Sequence, residues 1–186
     1  MKAIELLMDE HKYIKRMLLV VRKVCLNIMD GSEVDYEDFY KIIDFIRNYA
    51  DGHHHNKEEI ILFNKMIDEM GVTAEKVIKY GMLVEHDLGR LYISSLDESL
   101  QKLKSGDKES RLDVIANAIS YTNLLERHIH KEDNVIYKFA TRELSEDTLD
   151  KINEETNLYE GTNNTVKDKY VELLEVLEEK YLEKKS

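Results

Sequence analysis

The chain has 186 residues, with 27 Lys and Arg against 38 Asp and Glu, a formal net charge of −11, one cysteine and no proline. That length suits one domain, the acidic balance argues against nucleic acid or an anionic membrane as partner, and a lone cysteine excludes a disulfide framework. With no apolar run long enough to span a bilayer and no signal-peptide pattern in Met1-Lys2-Ala3-Ile4-Glu5, a soluble cytoplasmic protein is expected.

Leu, Ile, Glu and Lys are abundant and only seven glycines interrupt them. These side chains lose little freedom in a helix, so the expected class is all-α. The first stripe, Ile4, Leu7, His11, Ile14, Leu18, Val21, Cys25 and Ile28, steps by three and four, the spacing of a helix facing a bundle core. Cys25 reads there as a small core residue. Asp30-Gly31-Ser32 ends this helix, and a second begins near Tyr36. Its stripe is Ile43, Ile46, Ala50, His54, Glu58, Ile61 and Lys65, with Gly52 as a kink point.

After Met70-Gly71-Val72, Thr73 is the expected N-cap of a third helix, whose stripe is Ile78, Met82, His86, Gly89, Ile93, Leu96 and Leu100. Beyond Lys104-Ser105-Gly106-Asp107 the fourth presents Ala118, Tyr121, Leu125, His128, Glu132, Val135 and Phe139. Leu144 to Ser186 holds more helix, broken at Gly161-Thr162-Asn163-Asn164, with the stripe Val166, Tyr170, Leu173 and Leu177. It reads as an accessory hairpin packed on the bundle or as a dimer contact, ending in frayed Glu183-Lys184-Lys185-Ser186. The expected division is an up-down-up-down four-helix bundle over 1–142 and a C-terminal helical extension over 143–186.

Every one of the four stripes carries a residue that can coordinate a metal. His54 and Glu58, like His128 and Glu132, are four apart, which stacks imidazole and carboxylate about 6 Å apart on one helical face. Short turns make successive helices antiparallel neighbours, so heights follow from counting at about 1.5 Å per residue. His11 lies 18 residues before Met29 and His54 lies 18 after Tyr36. Glu58 is 11 before Glu69 and His86 is 12 after Ala74; His86 is 18 before Lys104 and His128 is 18 after Ser110. His11, His54, Glu58, His86, His128 and Glu132 therefore converge on one layer.

Carboxylates buried there would lose their hydration, and a pair of divalent cations would compensate. Imidazole and carboxylate ligands suit iron when the chemistry is with oxygen, with manganese or zinc as substitutes. Ferritin-like sites differ in using more carboxylates and a Glu-x-x-His spacing. His53, His55 and His130 lie off the stripes and read as surface residues or as supports for the ligands. His55 with Glu59 is the reading one register over. Asp133 competes with Glu132 as the bridge, and Glu132 is preferred because Asp133 points about 100° away. Glu85 and Asp87 flank His86 and read as solvated charge, with orientation of a ligand imidazole through its second nitrogen as the alternative; Tyr121 reads as packing, with a hydrogen bond toward a bound ligand as the alternative.

Four segments carry a resemblance: Met8-Asp9-Glu10-His11; His54-His55-Asn56-Lys57-Glu58-Glu59-Ile60-Ile61-Leu62-Phe63; Met82-Leu83-Val84-Glu85-His86-Asp87-Leu88-Gly89-Arg90; and Leu124-Leu125-Glu126-Arg127-His128-Ile129-His130-Lys131-Glu132-Asp133. Together they resemble the hemerythrin-like (HHE, cation-binding) domains over about residues 4 to 140. The resemblance implies a non-haem di-iron centre, oxo- or hydroxo-bridged, with His11, His54, His86 and His128 as terminal ligands and Glu58 and Glu132 as bridges. It implies binding of O2 or NO for sensing, storage or stress protection. A di-iron enzyme acting on peroxide or NO and an iron-handling protein are the alternatives, so whether the chain turns over a substrate is left open. The partners expected are that small molecule, a redox partner, and at most one further copy of the chain. Two features depart from the family. Leu62-Phe63-Asn64 and Ile136-Tyr137-Lys138 stand where it often has Leu-Phe-Pro, and Met82 stands where oxygen carriers have a second third-helix histidine. The second departure implies an iron with fewer nitrogen ligands and more room for reactivity.

Overall fold

Three glycines with positive φ, Gly31 (99°), Gly71 (61°) and Gly106 (107°), make the turns that separate the first four helical rods. Gly71 alone joins two of them, in a conformation that a Cβ would strain. The computed structural model describes residues 2–182, all-helical with no strand among them, and the expected frayed end at 183–186 lies outside that range. The rods are α1 (Ala3–Met29), α2 (36–70), α3 (72–104), α4 (110–143), α5 (Glu146–Thr162) and α6 (Asn164–Tyr181). Asp35 caps α2 by accepting from the Asp38 amide at 3.1 Å. Thr73 does not cap α3; the left-handed Gly71 starts that rod earlier, and Thr73 lies exposed in its first turn.

Four stretches are π-helical: Ile46–His55 and Glu58–Leu62 in α2, Ile78–Met82 in α3 and Glu132–Ile136 in α4. Their i→i+5 bonds widen the turn and delay the rotation of everything that follows. Gly52 sits inside the first of these stretches, where a Cβ would stand 3.1 Å from the Arg47 carbonyl oxygen. The inward stripe changes phase accordingly. Val135 is 58 % exposed while Ile136 and Ala140 are buried, and Met66 replaces Lys65 on the core side.

The buried apolar residues form two clusters. One gathers Ile14 to Ile28, Phe39 to Ala50, Ile93 to Leu100 and Val114 to Ile129; the other gathers Ala3 and Leu7, Ile61 to Met66, Ala74 to Met82 and Ile136 to Leu144. Each buried Leu or Ile adds about 1.5–3 kcal/mol. Cys25 belongs to the first cluster, and burial pushes its thiol up to about 11. Along each of the first four rods the seam between the clusters falls at the polar residues His11, His54 to Glu58, His86, and His128 to Glu132.

The last two helices lie against α1 and α2. Tyr170, Leu174 and Leu177 join the first cluster, Arg16 reaches Glu178 at 2.9 and 2.5 Å, and Lys180 reaches Asp35 at 2.7 Å. Asn153 of α5 accepts from the Ala3 amide at 2.8 Å. No described helix is long and apolar enough to cross a membrane.

Candidate metal centre

The six residues on the core stripes meet in one buried layer. Nε2 of His11 lies 3.3 Å from Glu132 Oε2, Nε2 of His54 3.6 Å from Glu58 Oε2, and Nε2 of His128 3.0 Å from Glu132 Oε1. His86 Nε2 is 3.6 Å from Glu58, 3.8 Å from Glu132 and 3.0 Å from His128 Nε2. Two overlapping sets have their donor atoms within 4.8 Å of one another: His11, His54, Glu58 and Glu132, and His55, Glu58, His86 and His128. Glu58 belongs to both.

His55 corrects the sequence reading, which put it off the stripe. It is only 5 % exposed, and its ring stacks on His86 with centroids 3.8 Å apart and planes 6° apart. The cause is the π-helical stretch that ends at His55: the wider turn lets consecutive residues, His54 and His55, both face inward. Met82 is a buried apolar residue, and α2 brings a fifth imidazole to the layer.

All five imidazoles share one arrangement. Nδ1 of His11 meets Asp133 at 2.7 Å, His54 meets Glu10 at 2.8 Å, His55 meets Asp51 at 3.1 Å, His86 meets Glu59 at 2.6 Å and His128 meets Glu85 at 2.9 Å. A carboxylate accepting from Nδ1–H fixes the tautomer and leaves the Nε2 lone pair free for a cation. Glu85 and Asp133 therefore do more than the sequence suggested: Glu85 is not solvated charge but the support of His128, and Asp133 orients His11. Asp87 is solvated, 77 % exposed and paired with Arg90 at 2.9 Å. The remaining histidines break the pattern. His130 is exposed beside Asn134, and His53 is buried with Nδ1 unpartnered and Nε2 turned to Lys57.

A profile of the hemerythrin HHE cation binding domain matches residues 2–140. The chain belongs to that family. Neither the curated proteins nor the solved structures give a match. The hemerythrin match ends inside α4, so α5 and α6 stand outside it.

In the hemerythrin layer the polar balance is incomplete. His11 Nε2, His54 Nε2, Glu58 Oε2 and both Glu132 oxygens are buried without a hydrogen-bond partner; of the four carboxylate oxygens of Glu58 and Glu132 only Glu58 Oε1 has one, the Tyr137 hydroxyl at 2.5 Å. Burial and the neighbouring Glu132 charge hold Glu58 well above the ordinary carboxyl range. Burial acts on Glu132 in the same sense, but the His128 charge and the close approach of the His11 and His128 imidazoles hold it well below. Burial also opposes a charge on His128, and Glu132 overcomes it, raising His128 to about 9. Burial and the His11 charge depress His54 to about 4.

Each orphaned atom forfeits hydration without recompense, at about 1–3 kcal/mol. Divalent cations in the layer would satisfy all of them at once, so the donor set fits a metal pair. A cavity of about 270 Å³ borders the outer side of His55 and His86 and is lined also by Asp51, Arg90 and Tyr121, the last a buried packing residue as expected.

Proposed function

We propose that the chain holds two iron ions and binds a small diatomic molecule, O2 or NO, in the cytoplasm, for sensing, storage or stress protection. In this reading residues 1–142 are an up-down-up-down four-helix bundle and 143–186 an accessory extension. The observation that carries it is the set of five carboxylate-backed imidazoles gathered around Glu58 and Glu132. His55, His86 and His128 would hold one ion, His11 and His54 the other, with Glu58 and Glu132 between them. Iron in such a cage supplies reactivity toward oxygen and nitric oxide that side chains lack, and manganese or zinc fits the same donors.

The chain's own part is to orient and to keep dry. Five carboxylates aim the imidazoles, Tyr137 donates to Glu58 and fixes that carboxyl, and Phe63 and Tyr137 place rings beside His86 and His11. The position on His11 and His54 has one imidazole fewer than its neighbour, which leaves it more room for an exogenous ligand. Binding is preferred over turnover because His55 supplies the nitrogen whose absence had favoured reactivity.

Spectra of the reduced iron-loaded protein under argon, air and NO test this. A new charge-transfer band on exposure to air or NO is expected, together with two irons per chain. A colourless, spectrally silent iron protein would sink the proposal, and steady consumption of peroxide or NO would replace it with the enzyme.

A further inference from the structure

Beside the metal layer lies a second buried polar cluster, built around Lys57. Its side chain is 0 % exposed, yet Nζ donates to Glu10 Oε1, lies 2.5 Å from Glu160 Oε1 and is 3.1 Å from His53 Nε2. The Tyr159 ring is 5.8 Å from the same ammonium, and the Tyr159 hydroxyl donates to the Gly52 carbonyl at 3.0 Å. Glu10, His53 and Glu160 are grouped closely enough to hold a metal ion. The ammonium already stands among them, so here the chain brings its own cation.

This cluster touches the centre at one point. Glu10 divides its oxygens, Oε1 for Lys57 and Oε2 for Nδ1 of His54 at 2.8 Å. The other four imidazoles lean on Asp133, Asp51, Glu59 and Glu85, all carried by α2, α3 or α4. His54 alone is tied, through Glu10 and Lys57, to α5, a helix beyond the hemerythrin match.

We propose that Glu160 is a positioning residue for the metal position built on His11 and His54, an inference that rests on the metal reading above. An ammonium has three donors and no acceptor. While Glu160 takes one of them, Lys57 is held toward α5 and Glu10 keeps an oxygen for His54. Without the Glu160 charge, the buried ammonium is drawn onto Glu10 alone and competes with His54 for the second oxygen. His54 then loses the acceptor that fixes its tautomer, and the effect stays on one of the two metals.

The full chain with Glu160→Gln, Glu160→Asp or Glu155→Gln tests this. Glu155 is the control because it makes the other ion pair from α5 to α2, with Lys65 at 3.0 Å, away from the centre. In the metal-free protein, nitrogen-15 NMR of the histidines should show the His54 Nδ1 proton exchanging faster in Glu160→Gln, with Glu160→Asp restoring most of the protection. In the iron-loaded protein a chelator should strip one iron about tenfold or more faster from Glu160→Gln, the second at the wild-type rate, and neither faster from Glu155→Gln. Unchanged exchange and unchanged release would overturn the assignment, as would equal acceleration in Glu155→Gln, which would reduce Glu160 to a stabiliser of the hairpin. If the wild-type chain takes up no iron, the metal reading falls and the His54 exchange experiment still decides for or against Glu160.

Discussion

Around Lys57, two carboxylates and an imidazole face an ammonium, and every buried oxygen of Glu10 and Glu160 has a partner, His53 Nδ1 being the one orphaned atom among them. A few ångströms away, around Glu58 and Glu132, two carboxylates and five imidazoles face one another with no ammonium from the chain, and five of their atoms are orphaned. The two clusters use the same groups, carboxylates and imidazoles, the first a little nearer the surface because Glu160 is a quarter exposed. What separates them is whether a lysine ammonium stands among the carboxylates. A saturated cluster reads as structural, and a starved one reads as a vessel for ions.

The comparison breaks most visibly if the attached cation is removed. Lys57→Met leaves the buried Glu10 carboxylate without its cation and facing the quarter-exposed Glu160, and unfolding in urea should show a loss of about 3 kcal/mol. Added manganese should recover part of it, because the variant turns the saturated cluster into a starved one. A variant as stable as the parent would mean that the ammonium does not hold these charges.

Next in size is the fifth imidazole. His55→Ala should lower metal affinity about 10–100-fold, measured by competition with a chromophoric chelator, whereas His130→Ala should leave it unchanged. Equal affinities for the His55 variant and the parent would return His55 to a packing role.

The smallest effect is on pH. In the metal-free protein His128, raised to about 9, holds its proton at pH 7, and burial together with the Glu132 charge shifts Glu58 toward holding one too. A cation entering the layer must displace them, so loading should release protons into an indicator solution. Affinity should weaken as pH falls, by about tenfold per pH unit for each proton displaced. Loading without proton release would show that the layer is already ionised.

Much of this centre is legible in the sequence, because a stripe spaced by three and four plus a rise per residue suffices to bring His11, His54, Glu58, His86, His128 and Glu132 to one height. His55 is not legible, since nothing in Gly52-His53-His54-His55 announces an i→i+5 turn; the same device moves Ile136 inward and Val135 outward. Of the supporting carboxylates, Asp51 lies four residues before His55 on the same rod and could have been read from that spacing. Asp133, Glu10, Glu59 and Glu85 reach across to imidazoles on other rods, a meeting that depends on how the rods pack. Glu160 is the extreme case, 103 positions from Lys57, and no local pattern links them.

Donors drawn from all four rods impose an order of events. A nascent polypeptide that has not yet emerged past Glu132 lacks one of the two carboxylates common to the layer, and one that ends before Glu160 lacks the anchor of Lys57. Metallation in this reading is an act of a nearly finished molecule rather than of a growing one, and bound metal becomes a certificate that the first five helices have docked.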